Sequence, residues 1–181
     1  MTNHDVFKLP RKLIRKFKTC DPFELARRMN ILVKFRSDFV TQRGASVIIL
    51  GNRVIFINAN LSEQMQRMVC AHELGHLLLH RVSYGEEAWV LNHELFDMKD
   101  ELEYEANVFA ANLLIDDEEM IGYLEEGFNI VAVASSLDVN VNMVVLKMVE
   151  MNKQQGYNFQ ISDVPDRGFL GSIPDSNTCN W

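Results

Sequence analysis

The sequence predicts an α+β domain that is mostly helical, with a small β-hairpin or three-stranded sheet near its N-terminus. Three short runs rich in β-branched residues lie within residues 31–57, as expected for strands. Beyond residue 60 several segments have apolar residues that recur with helical spacing. The chain of 181 residues is long enough for one hydrophobic core of ordinary size, so we expect a single folded domain.

The N-terminal region begins with helical signals. In residues 11–18 basic residues surround Leu13, Ile14 and Phe17, a pattern typical of an amphipathic surface helix. Asp21 is suited to the N-cap, Pro22 to the first turn and Glu24 to position N3 of a second helix that runs to about Met29.

Three strands are expected next, at Ile31–Phe35, Ser46–Leu50 and Arg53–Ile57. Gly51 and Asn52 lie between the last two, and two such turn residues between β-branched runs predict a hairpin. A long helix then follows, with Asn60 as N-cap, and continues to about residue 81.

A loop is expected over residues 82–97, and a second long helix after it. The predicted buried stripe of this helix comprises Leu102, Ala106, Phe109, Ala110 and Leu113. Further helices are expected around residues 118–125, 130–137 and 141–151. The predicted organisation is a basic segment at residues 1–20, a domain at 21–153 and a loosely ordered tail at 154–181.

Composition and charge exclude several classes of protein. No apolar run is long enough to cross a bilayer, and the three cysteines exclude a disulfide framework or a cysteine-based zinc knuckle, so we expect a cytoplasmic protein. The net charge is −7, yet residues 1–81 hold 14 basic against 6 acidic residues, and residues 82–181 hold 4 against 19. The acidic stretch at residues 86–126 is either a solvated face or a surface that attracts a basic partner.

The chemistry is indicated by His72, Glu73 and His76 within the first long helix. Histidines four residues apart lie on one helix face, so both imidazoles can bind one zinc ion. Glu73, beside the first histidine, is placed to act as general base, which predicts zinc-assisted hydrolysis.

A third ligand is expected on the second long helix. Glu101, Glu103 and Glu105 are the candidates there. Glu103 and Glu105 flank the apolar stripe at similar angles, so helical periodicity does not choose between them.

The motifs resemble those of the ImmA/IrrE family of small zinc metallopeptidases. The matching segments are HELGHLLLH at residues 72–80, EYEANVFA at 103–110 and the paired leucines at 113–114. The resemblance implies a zincin-like metallopeptidase domain, a zinc cofactor and Glu105 as third ligand. It also implies a helix-turn-helix repressor of a phage or mobile element as substrate, whose cleavage derepresses that element's genes. The chain departs from the family at Asp116, where proline is usual.

Two further histidines are candidates for supporting roles. His80 lies about 12 Å along the helix from His72, too far for a common ion, so we expect it to support the ligands or to pack. His93 could donate a hydrogen bond to a reaction oxyanion, although a surface position is the simpler interpretation.

Two other functions are consistent with the sequence. The protein could be a non-catalytic antirepressor that acts by protein contact alone, although Glu73 would then have no purpose. The helices within residues 130–151 could form a helix-turn-helix, but Lys147 is the one basic residue of that segment and DNA affinity depends on phosphate neutralisation. No direct nucleic-acid or membrane binding is therefore expected.

Overall fold

The computed structural model describes residues 4–80 and 101–161. In these residues the helices are α1 (His4–Phe17), α2 (Pro22–Arg28), α3 (Glu63–Leu79), α4 (Glu101–Leu114), α5 (Asp117–Glu125), α6 (Ile130–Ser136) and α7 (Val141–Gln155). The strands are β1 (Leu32–Arg36), β2 (Gly44–Ile49) and β3 (Asn52–Asn58), in the spatial order β1-β3-β2. This architecture confirms the predicted α+β class.

The sheet contains the predicted hairpin and one parallel strand. β2 and β3 pair in antiparallel fashion with Val47 opposite Val54, and β1 runs parallel to β3. Ile49 pairs with Asn52, so the two-residue turn is Leu50-Gly51, one residue earlier than predicted. Both turn residues have positive φ, as a type I′ turn requires.

The N-terminus of α3 differs from the expectation. Ser62 is the N-cap, and its hydroxyl accepts a hydrogen bond from the Met65 N–H at 3.3 Å. The predicted cap, Asn60, instead donates from its side chain to the Ser37 carbonyl at 3.2 Å. The Asn60 side chain therefore holds the loop between β1 and β2, and the N-cap of α3 lies two residues later than predicted.

The buried face of α4 is more polar than its apolar stripe suggests. Ala106, Phe109, Ala110 and Leu113 are buried as predicted, but Leu102 is 50% exposed. Glu103 is only 6% exposed. The prediction for Leu102 was wrong. The face of α4 that meets α3 includes polar side chains, and a prediction based on the spacing of apolar residues does not include them.

The basic N-terminal segment forms α1 and packs on the body of the domain. Val6 and Leu13 are buried in the common core, while Lys8, Lys12 and Lys16 are exposed. The predicted domain boundaries, including the tail that lies mostly outside the described residues, stay predictions.

Asp116 occupies the position where the family that the motifs resemble usually has proline. Its carboxylate accepts hydrogen bonds from the N–H groups of Glu118 and Glu119, both at 3.0 Å, and so caps the N-terminus of α5.

Among the described residues no single helix is long and apolar enough to span a membrane. The pair α6 and α7, which meet at 110°, passes a test of length and composition as a bent pair.

Candidate metal centre

The two motif histidines lie one turn apart on the buried side of α3. Their exposed fractions are 1% for His72 and 5% for His76. The Nε2 atoms of the two imidazoles are 3.0 Å apart. The structure therefore brings together the two nitrogen donors that the spacing predicted.

A carboxylate from α4 completes this group. Glu103 places Oε2 3.2 Å from His72 Nε2 and Oε1 3.3 Å from His76 Nε2. The three side chains are buried and offer ligand atoms that all lie within 4.8 Å of one another. In the described part of the chain this is the one group of histidine, cysteine and acidic residues with such a geometry.

Glu105, the ligand that the family resemblance implied, lies elsewhere. Its Oε2 is 3.0 Å from His80 Nε2. Residues two apart on a helix differ by about 200° in direction, so the carboxylates of Glu103 and Glu105 face different neighbours. Glu103, and not Glu105, therefore lies beside the imidazole pair, and this placement does not support the expectation that Glu105 is the third ligand.

A close approach of α3 and α4 explains why Glu103 reaches the histidines. A Cβ atom on Gly75 would lie 3.0 Å from the Ala106 Cα and 3.2 Å from its carbonyl oxygen. The missing side chain lets the two helices meet closely at this point. Glu103 lies one turn before Ala106, so it is carried to the same side of α4 and toward the imidazoles.

The donor set fits a tetrahedral divalent ion. Zinc binds imidazole nitrogen at about 2.0–2.1 Å and carboxylate oxygen at about 2.0–2.2 Å, which gives donor–donor separations of about 3.3 Å in a tetrahedron. The two imidazole nitrogens are 3.0 Å apart, and each lies 3.2 or 3.3 Å from its nearer Glu103 oxygen, which is close to that figure. Three protein donors leave the fourth position for water or substrate, as in catalytic zinc sites.

The outer nitrogens of both imidazoles also meet hydrogen-bond partners. His72 Nδ1 is 2.9 Å from Asn107 Oδ1, and His76 Nδ1 is 3.1 Å from His80 Nδ1. His80, which ends α3, was predicted to support the ligands or to pack, and it does contact a candidate ligand. Asn107 was not foreseen, although its position one turn after Glu103 was the available signal.

Glu73 lies beneath the first residue of β2. It is 1% exposed, and a Cβ atom on Gly44 would approach its Oε1 to 3.0 Å and the Val69 Cγ1 to 2.4 Å. Only glycine allows the strand to pass this close to the carboxylate. Gly44 is a second residue that sequence reasoning missed, and a glycine at a strand start was its signal.

The remaining candidates cannot be placed in the same way. His93 and the loop predicted at residues 82–97 lie outside the described residues, as does the first part of the acidic stretch. The role predicted for His93 stays a prediction.

Known proteins match most of this domain. Residues 26–148 match the peptidase M78 family, described as the IrrE N-terminal-like domain. The chain belongs to the ImmA/IrrE family. It is 34% identical over 136 residues to a protein of Bacillus phage phi105 named uncharacterized immunity region protein 2, covering 75% of this chain and 84% of the relative.

A second relative carries the activity in its name. The metallopeptidase ImmA of Bacillus subtilis strain 168 is 37% identical over 89 residues, which is 48% of this chain and 49% of that protein. The ImmA/IrrE family is one of metallopeptidases and so implies a metal ion. The group formed by His72, His76 and Glu103 is where this chain could hold it.

Proposed function

We propose that the protein is a zinc-dependent endopeptidase of the cytoplasm. In this proposal His72, His76 and Glu103 hold the zinc ion, and Glu73 is the general base. The observation that carries the proposal is the convergence of two imidazole nitrogens and one carboxylate at 3.0–3.3 Å. Glu73 directly follows the first of these histidines in the sequence.

The chain's own residues divide the work of hydrolysis. A zinc ion would supply Lewis acidity, which acidifies water and polarises a peptide carbonyl. The Glu73 carboxylate accepts one proton from the attacking water, whose oxygen adds to the scissile carbonyl carbon. The carbon–nitrogen bond then breaks, and Glu73 passes that proton to the leaving nitrogen. The close passage of β2 over Glu73 holds the carboxylate in place for both transfers.

The proposed substrate is a helix-turn-helix repressor of a phage or mobile element. The relative from phage phi105 is named for an immunity region, and the relative from Bacillus subtilis is named ImmA metallopeptidase. A DNA-binding repressor has a basic surface for phosphate contacts. Exposed acidic residues at the start of α5, among them Glu118 and Glu119, offer charge of the opposite sign.

The two other functions are less well supported. α6 and α7 meet at 110° across a short turn, as in a helix-turn-helix. However, α7 lies in the core, and the Lys147 ammonium is buried in an ion pair with Asp117 at 2.6 Å. It is therefore unavailable to DNA phosphates. A contact-only antirepressor would not need a buried carboxylate beside two converging imidazoles.

The test is incubation of the zinc-loaded protein with the repressor encoded beside it. We expect Glu73→Gln to retain zinc and fold while the cleavage rate falls by about 10²–10⁴-fold, the range for a lost general base. Glu63→Gln, at the exposed first residue of α3, is the matched control and should cleave normally.

Two results would contradict the proposal. A wild-type protein that binds the repressor without cutting it would establish the antirepressor function. Loss of zinc from the Glu73→Gln protein would show that Glu73 is a ligand and not the base. Zinc content measured by mass spectrometry and products measured by gel and peptide mass distinguish these cases.

A further inference from the structure

The two imidazoles of the candidate centre are oriented by different hydrogen-bond partners. The Asn107 Oδ1 atom, which only accepts hydrogen bonds, lies 2.9 Å from His72 Nδ1. A neutral His72 therefore carries its hydrogen on Nδ1 and presents the Nε2 lone pair toward His76 and Glu103. Asn107 is fully buried, so this contact is shielded from water.

His76 is oriented through a chain of two side chains. The Glu105 carboxylate, also an acceptor only, lies 3.0 Å from His80 Nε2. A neutral His80 then carries its hydrogen on Nε2 and offers a lone pair at Nδ1. His76, 3.1 Å away, donates from its own Nδ1 and so also presents the Nε2 lone pair.

This series of hydrogen bonds connects the C-terminal end of α3 to the N-terminal part of α4. His80 is the C-cap of α3, with extended backbone angles, and its side chain is 10% exposed. The Glu105 side chain on α4 is 12% exposed. Both groups are shielded enough for the hydrogen bonds to compete with water.

We propose that Glu105 is a positioning residue that acts through His80 on His76 and does not bind the metal. The proposal rests on the proposed function, because it takes His76 to be a ligand. Residues that orient ligating histidines typically change metal affinity by about 10–100-fold when they are removed. The two glutamates of the EYEA segment thereby have separate tasks, with Glu103 facing the imidazole pair and Glu105 facing His80.

The first test measures zinc affinity by competition with a chelator. Glu105→Ala should bind one zinc ion per chain with affinity reduced about 10–100-fold. Glu105→Gln should stay close to wild type, because its amide oxygen can accept the same hydrogen bond from His80. Glu101→Gln, one turn earlier and exposed, is the matched control.

The second test reads the imidazole tautomers by ¹⁵N NMR of the metal-free protein. Wild type should show hydrogen on Nδ1 of His72 and His76 and on Nε2 of His80. In Glu105→Ala the His76 and His80 signals should become a tautomer mixture, while those of His72 stay unchanged. His80→Phe should act on His76 in the same way and serves if the alanine variant does not fold.

The outcomes separate this proposal from the proposed function. Loss of stoichiometric zinc in Glu105→Gln would make Glu105 a ligand and overturn the positioning role. Wild-type affinity and unchanged His76 signals in Glu105→Ala would overturn it as well. If the wild-type protein itself binds no zinc, the proposed function fails, and the NMR experiment alone decides whether Glu105 controls the His76 tautomer.

Discussion

The buried polar groups at the two ends of α4 differ in the source of their positive charge. At its C-terminal end Asn112 accepts a hydrogen bond at 2.7 Å from Lys147, whose ammonium also contacts Asp117. The positive charge of that cluster is part of the chain. At its N-terminal end Glu103 and two imidazoles direct acceptor atoms toward one another. There the fitting partner is a cation from outside the chain.

This difference separates stability from function on a single helix. Burial lowers the pKa of Lys147, and the Asp117 carboxylate opposes that shift. Burial also raises the pKa of Asp117, but Lys147 and Arg11 outweigh it, so that pKa is lowered overall. The C-terminal cluster is thus satisfied by the fold, whereas the N-terminal group gains its counter-charge by binding.

The largest expected effect is that of metal removal on the N-terminal end. A ligand present at about 1,000 times its Kd stabilises a fold by about 4 kcal/mol. For a chain of this size that corresponds to a change in Tm of about 8–16 °C. We therefore expect a chelator to lower the Tm of the zinc-loaded protein by that amount in differential scanning calorimetry.

Glu103→Gln is the control for that measurement. Its Tm should respond little to zinc or chelator, because one of the three donors has lost its charge. An equal response in wild type and Glu103→Gln would place the stabilising metal elsewhere and remove the contrast between the two ends.

A smaller loss is expected at the C-terminal end. Asp117→Asn leaves the buried Lys147 charge without its anion, which costs about 3 kcal/mol, the lower end of the range because Asp117 is partly exposed. Lys147→Met should change stability far less, since an apolar side chain of similar size suits the site. Urea unfolding of both variants measures the difference, and zinc affinity should be unchanged in each.

The contribution of Asp117 should depend on pH in a defined direction. Its pKa is lower in the folded than in the unfolded chain, so its stabilising effect is complete above the ordinary aspartate pKa of about 4. The effect is lost as the pH falls through the lowered value. The stability gap between wild type and Asp117→Asn should therefore narrow in acid, and a gap independent of pH would contradict the ion-pair account.

The smallest effect concerns the contact that positions α4 itself. Gly75→Ala forces a methyl group against Ala106 and should cost about 1–3 kcal/mol, the usual cost of overpacking. It should also weaken zinc binding, because Glu103 moves with the helix. Gly122→Ala in α5 meets nothing within 4 Å and should stabilise by about 0.5–1 kcal/mol. Equal effects of both substitutions would mean that the close approach does not matter.

Local signals in the sequence predict a large part of this structure. The spacing of His72 and His76 suffices to pair them, because helix geometry is local. Asp21 caps α2 with its carboxylate, as predicted. The start of α3 was misplaced because Asn60 and Ser62 are both good caps, and only the contact with Ser37 decides between them.

The choice between Glu103 and Glu105 depends on contacts that no local pattern contains. Both flank the apolar stripe of α4, so the outcome is set by where α3 packs, which Gly75 and Ala106 determine together. The parallel pairing of β1 with β3 is likewise a long-range contact.

The ligands of the metal are tested most directly by anomalous diffraction at the zinc edge from crystals of the zinc-loaded protein. We expect one peak per chain, within about 2.0–2.2 Å of His72 Nε2, His76 Nε2 and a carboxylate oxygen of Glu103. Glu105 should remain hydrogen-bonded to His80 in the same crystals. A peak coordinated by Glu105, or one that leaves Glu103 uncoordinated, would contradict the proposal that Glu103 is the third ligand.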